Sequence, residues 1–174
     1  MKSLKNFILI IFLFLNFSQI SYSEVPFFLD FKYILNNSDA GKKAQDQLKK
    51  KLENGIKNIN TKQKKLQEEE KKIIQQKKII SPEDYKKKVT ELREKVNNLA
   101  KERDTLLTSV ASQRSNARKE LLKNLNPIIA DYMKEKKIRM IVDKKSILLA
   151  DEKLDVTKDI IKILNSKLKS IKLN

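Results

Sequence analysis

The sequence predicts a mainly α-helical chain with a small β body, in which a long antiparallel coiled-coil hairpin arm projects from a compact hub formed by oligomerisation. Three observations carry that expectation. Leu52, Ile59, Leu66, Ile73 and Ile80 recur every seven residues. Ser81 and Pro82 then interrupt the chain. A second apolar series follows at Tyr85, Val89, Leu92, Val96, Leu99, Leu106 and Val110, with steps of four and three and one gap at Arg103, the seam of a coiled coil.

Residues 1–23 read as a cleaved signal peptide. Lys2 and Lys5 precede an apolar run from Phe7 to Phe17, broken only by Asn16, and Ser21 and Ser23 supply a small-x-small cleavage site. The run is shorter than the ~20 residues a spanning helix needs, which argues against a retained anchor. Residues 25–31, rich in phenylalanine, read as a first strand, with Pro26 tolerable at its start or on an edge. Residues 36–39 form a polar turn in which Ser38 or Asp39 can cap the outgoing arm.

Gly41 near the start of that arm costs little, whereas Gly55 inside it costs ~1 kcal/mol relative to alanine. Together with Asn54, Asn58 and Asn60, it marks the place where the arm is expected to bend. The second seam positions of this arm are Lys49, Ile56, Gln63, Glu70 and Lys77, and only Ile56 is apolar. So thin a stripe must borrow stability from the helix that folds back on it. Pro82 suits the first position of the returning helix, Ser81 can cap it, and Glu83 and Asp84 favour its first turn, which places the hairpin tip near residues 80–83.

Beyond Val110 the stripe widens into Leu121, Leu122, Leu125, Ile128, Ile129, Tyr132 and Met133, which implies a larger neighbour than one helix. Pro127 is expected to kink this segment. Met140, Ile141 and Val142, then Ile147, Leu148, Leu149 and Ala150, read as two strands of a buried hairpin. A last helix, capped by Asp155 or Thr157, turns Ile160, Ile161, Leu164 and Leu168 inward. The arm thus occupies residues 39–137, and residues 24–38 and 138–174 form a discontinuous body. About three short strands leave open edges and a wet face, so Phe27, Phe28, Leu29 and the later strand residues are expected to meet those of other copies.

Lys and Arg number 39 against 22 acids. Residues 41–126 alone hold 24 basic and 12 acidic side chains. A field of this sign draws anionic partners over about a Debye length, ~8 Å at physiological salt. With no histidine and no cysteine, the usual general base, thiolate nucleophile and zinc ligands are missing from the sequence, and two glycines make no phosphate loop. Neither an enzyme nor a bound cofactor or metal is expected. Glu68, Glu69 and Glu70 are consecutive on a helix, point around its axis, and read as solvated charge.

Several segments in order resemble the periplasmic chaperone family Skp, also called OmpH. These are Asp30, Ile34 and Leu35, then Ser38-Asp39-Ala40-Gly41-Lys42-Lys43-Ala44 leading to Leu48, and later Ile141-Val142-Asp143-Lys144, Leu148-Leu149-Ala150-Asp151 and Leu154-Asp155-Val156-Thr157. The resemblance covers the whole chain after the signal. It implies a periplasmic homotrimer whose strands share a central barrel. It also implies that the hairpins enclose a cavity for unfolded outer-membrane β-barrel proteins, held without ATP until membrane insertion. Pro26 departs from the family's usual first strand by removing a ladder donor. No lipopolysaccharide-binding motif carries over residue by residue, although contact with anionic lipid or lipopolysaccharide fits the charge.

A holdase must grip apolar segments of many sequences, which favours weak contacts on the arms. Ile74 and Ile79 near the tip, outside the seam, are the apolar candidates, with Lys71, Lys72, Lys77, Lys78, Lys86, Lys87 and Lys88 around them. The competing readings are hairpin packing for the isoleucines and a solvated face for the lysines. Two other functions compete. One is nucleic-acid binding, which the pI near 9.9 invites and export makes unphysiological. The other is a structural or adaptor coiled coil of the envelope, which would bind folded partners.

Overall fold

The computed structural model describes residues 25–173, so the expected signal peptide lies outside the described residues. Strand β1 (Phe27–Leu29) leads into helix α1 (Phe31–Asn37), then α2 (Asp39–Gln76) and α3 (Pro82–Lys136). Strand β2 (Ile141–Asp143) and helix α4 (Thr157–Lys167) follow. Helices α2 and α3 form the antiparallel arm, ~57 and ~83 Å long at 1.5 Å per residue. Among the described residues no helix is long and apolar enough to cross a membrane.

β1 and β2 pair in parallel, with Phe27 opposite Ile141, Phe28 opposite Val142 and Leu29 opposite Asp143. A parallel pair needs a crossover rather than a tight turn. Here the crossover is the whole arm, so the arm begins and ends at one small sheet. On its other side β1 accepts a single bridge, in which the Val156 N–H donates to the Phe28 carbonyl at 2.9 Å.

Two sequence expectations change at this point. Residues 31–37 are helical instead of completing a strand and a turn, because the Asp30 carboxylate accepts the Tyr33 N–H at 2.7 Å and Ile34 is driven into the core. Residues 147–150 form no strand. Asp143 and Asp151 accept the N–H groups of Lys145 and Lys153, at 3.1 and 2.9 Å, and fold their followers into short 3-10 turns at Lys144–Ser146 and Glu152–Leu154. Leu148 and Leu149 are left fully exposed between those turns.

Ser38 is a one-residue corner between two helices. Its N–H closes α1 on the Ile34 carbonyl at 3.0 Å, and its hydroxyl caps α2 by accepting the Gly41 N–H at 3.2 Å. The residue is completely buried. Gly41 lies so close under the corner that a Cβ there would stand 2.0 Å from the Leu35 carbonyl oxygen. It is therefore a steric requirement of the turn, and the reading of Gly41 as a merely inexpensive residue is corrected. Gly55 also has a close neighbour. Helix α2 runs unbroken past it, and a Cβ there would meet the Leu106 side chain at 2.4 Å, so the glycine lets the two arm helices approach.

The core sits at the root of the arm and is mostly helical. Ile34, Ala40, Leu121, Leu125, Ile128, Tyr132, Ile160 and Leu164 are all buried in one cluster with Leu29, Ile138 and Val156. The wide stripe at the end of α3 thus finds α1, α4 and β1 as its larger neighbour. α3 continues through Pro127 to Lys136, and Lys137 ends it in the left-handed conformation, φ 56°. The Tyr132 hydroxyl donates to Asp159 Oδ2 at 2.7 Å, tying α3 to α4. Burial pushes that phenol up to about 12, and the hydrogen bond and charge of Asp159 push in the same direction.

Two predictions follow from this packing. Gly41→Ala must open the corner against backbone, an overpacking cost of about 1–3 kcal/mol that denaturant titration would read as a lower midpoint. An unchanged midpoint would contradict the close approach. For Tyr132, the folded pKa exceeds the unfolded value of 10.0. Its stabilisation is therefore fully present below pH 10 and is lost as pH rises through about 12. Tyr132→Phe is expected to flatten the alkaline stability profile relative to the parent, measured by chemical denaturation across that range.

Candidate functional site

The arm is held in register by polar pairs that flank the apolar seam. Lys62 meets both oxygens of Glu102 at 2.7 Å, Lys95 meets Glu69 at 2.6 Å, and Lys88 donates to Gln76 at 2.7 Å. A step of seven residues up α2 (62, 69, 76) is matched by the same step down α3 (102, 95, 88). Lys51 extends the series by donating to Gln113 and Ser109, each at 2.9 Å. Exposed pairs of this kind contribute at most about 1 kcal/mol each, so they select the register more than they stabilise it. The sequence reading looked only at apolar spacing and missed them, taking Glu69 for solvated charge. The signal is present as Lys62 and Glu69 on α2 set against Glu102 and Lys95 on α3, opposite charges at matching seven-residue steps.

The seam residues differ in burial. Ile59 and Ile73 are buried, and Leu52, Leu66, Ile80, Tyr85, Val89, Leu92, Leu99, Leu106 and Val110 are half-buried. Val96 stands 49% exposed. Because Gln63 and Glu70 occupy positions where a closed seam would have apolar side chains, an open groove of about 630 Å³ runs between the helices. Leu66, Leu92, Val96 and Leu99 line it, with Arg93 and Arg103 among its polar residues.

At the tip, helix α2 ends at Gln76, earlier than the apolar repeat implied. The Gln76 carbonyl accepts the N–H groups of Ile79 and Ile80 at 2.9 and 3.1 Å and closes the helix. The turn therefore spans residues 77–81 rather than 80–83, and Ile80 supplies its apolar contact from that turn. Ser81 caps α3 by accepting the Asp84 N–H at 3.1 Å. Neighbouring isoleucines divide their roles: Ile73 is buried while Ile74 is 58% exposed, and Ile80 is half-buried while Ile79 is 82% exposed.

The candidate lysines are not equivalent. Lys71, Lys72, Lys78, Lys86 and Lys87 are exposed around the two isoleucines. Lys77 lies 5.8 Å from the centroid of the Tyr85 ring, and Lys88 is half-buried on Gln76, so both also serve the hairpin itself.

The second candidate surface is on the body. Phe28 and Leu29 are buried in their own protomer, and Phe27, Ile141, Val142 and Ile147 are half-buried. Met140, Leu148 and Leu149 are exposed, as is Val25. Among the described residues no strand pairs with the outer edge of β2. Beneath this face Lys144 bonds Asp155 at 3.1 Å and lies over the Phe28 ring at 5.7 Å. Burial raises the Asp155 pKa, but the Thr157 hydroxyl and N–H, together with Lys144, outweigh it and hold the carboxyl below its usual value. Val156 is the N-cap of α4, and Asp155 satisfies the Thr157 N–H from just outside the helix. Among the described residues no group of three or more acidic side chains is placed to hold a metal ion.

Comparison with known proteins fits this architecture. Residues 27–164 match the family described as Outer membrane protein (OmpH-like). The fold is similar to the crystal structure of an OmpH-like chain from Caulobacter crescentus CB15, provisionally assigned as an outer membrane chaperone. The TM-score is 0.80 at 18% sequence identity, over 86% of this chain and 90% of that one. A comparison with curated proteins returns no match. With the family match running from β1 through the arm to Leu164 of α4, the chain belongs to the OmpH-like outer membrane protein family.

Proposed function

We propose that this protein is an ATP-independent periplasmic holdase that binds unfolded outer-membrane β-barrel proteins between the arms of a homotrimer and keeps them from aggregating before membrane insertion. The observation that carries this reading is the exposure of Ile74 and Ile79 at the end of a long arm, ringed by exposed lysines. Isolated apolar residues on a projecting rod give weak contacts that accept any greasy segment. Several arms acting on one chain convert weak contacts into retention through effective concentration, with no need for ATP to reset them. The lysines bring acidic clients in and leave the contact sensitive to salt. The half-open groove around Val96 adds apolar surface further along the same arm.

Assembly rests on the body. An unpaired edge beside Met140, Leu148 and Leu149 is what a soluble protein covers, and further copies of the same surface are the simplest cover. Each protomer brings a helical core of its own at the root of the arm, and association in this reading arranges the arms around a cavity. Anionic lipid or lipopolysaccharide, opposite in charge to the lysines of the arm, is a secondary partner in this reading.

Two measurements test the proposal. Dilution of a denatured porin-like client should show aggregation suppressed at one trimer per client. Ile74→Ser with Ile79→Ser should weaken capture by roughly tenfold with no change in helicity, since both side chains are exposed. Equal capture by parent and variant would remove the tip from the mechanism, and no suppression by the parent would remove the holdase. Separately, Leu148→Ser and Leu149→Ser should each weaken self-association roughly 10- to 100-fold in sedimentation equilibrium. A parent that sediments as a monomer would refute the trimer.

A further inference from the structure

We propose that residues 165–173 form a brace that sets the tilt of the helical arm on the body. This segment lies past the part of the chain that matches the family, which ends at residue 164. It leaves α4 at Lys167 and runs without regular structure back along the root of the arm. Its contacts fall on both arm helices. Asn165 Oδ1 accepts the Asp39 N–H at 2.8 Å, and Lys169 Nζ meets Asp39 Oδ2 at 3.1 Å, both at the first residue of α2. Farther on, Gln113 of α3 donates its Nε2 to the Leu173 carbonyl at 3.4 Å, while its Oε1 accepts from Lys51 of α2. Leu168 and Ile171 pack against the buried core.

The placement is mechanically specific. Asp39 directly follows the Ser38 corner, the point about which α2 would swing relative to the body. Gln113 sits farther up the arm, beside Lys51, where α2 and α3 are already joined. A tail fixed at both levels constrains rotation at the corner as a strut constrains a hinge. Between its anchors it spans an open recess of about 600 Å³ against Asn116, Lys119 and Lys123 of α3. The tail thus combines polar contacts at its two levels with apolar packing of Leu168 and Ile171 against the core. Its contacts with Asp39 are exposed and polar, so the brace is a weak, reversible stop at the corner.

The chain has no cysteine, which permits clean spin labelling of Lys78→Cys at the tip and Lys158→Cys on α4 in one subunit, diluted with excess unlabelled chain. Distance distributions from electron double resonance would then be compared for the full chain, a chain lacking residues 169–174, and Lys169→Glu combined with Gln113→Ala. The displaced-arm population should rise roughly two- to fivefold in both altered proteins, the factor that exposed polar contacts are worth, with helicity retained. Identical distributions in the folded point variants would overturn the brace. They decide the matter even if the shortened chain fails to fold.

Discussion

The geometry of this molecule depends on the corner at Ser38. One buried hydroxyl and one backbone N–H terminate a helix that belongs to the body and start another that belongs to the arm. The absence of a side chain at Gly41 lets the Leu35 carbonyl close over the turn. If the corner opened, Ala40 would leave the core and α2 would lose its fixed direction. The arm is also attached through the far end of α3 and through the polar contacts of Asn165, Lys169 and Leu173. The rest of the structure follows from having both ends of a long hairpin enter one small cluster of buried residues.

That cluster changes the view of what each protomer lacks. A body of three short strands would be unable to fold alone. The observed body instead draws its core from α1, α4 and the end of α3, and the two strands cover one side of it. The sheet therefore contributes an edge more than an interior. This division separates two tasks physically, since side chains that stabilise the fold are buried in the root while those exposed at Met140, Leu148 and Leu149 are available to neighbours.

Much of the arm was legible in the sequence, because seven-residue spacing and the Ser-Pro interruption are local signals that tertiary packing reinforces. The cap at Ser81 and the wide apolar stripe of α3 were readable for the same reason. The body was less legible. Helix α1 is seven residues long and its apolar residues overlap a pattern that also suits a strand. The run at 147–150 is apolar without periodicity, so its hydrophobicity revealed exposure no better than burial, and the turn-forming roles of Asp143 and Asp151 decided its path. The candidate tip residues were recognisable as apolar positions outside the seam. What spacing alone did not reveal was the split use of the lysines, with Lys77 and Lys88 partly engaged in the hairpin.

The matched ladder of Lys62 with Glu102, Glu69 with Lys95 and Gln76 with Lys88 has a bearing on how such rods change size. Insertion into one helix alone would throw every later rung out of alignment. Equal insertions of two turns in both helices would preserve each rung and carry the tip outward by about 10 Å. Reach is consequently quantised in paired modules, and the length of the arm can evolve without altering the root that carries it.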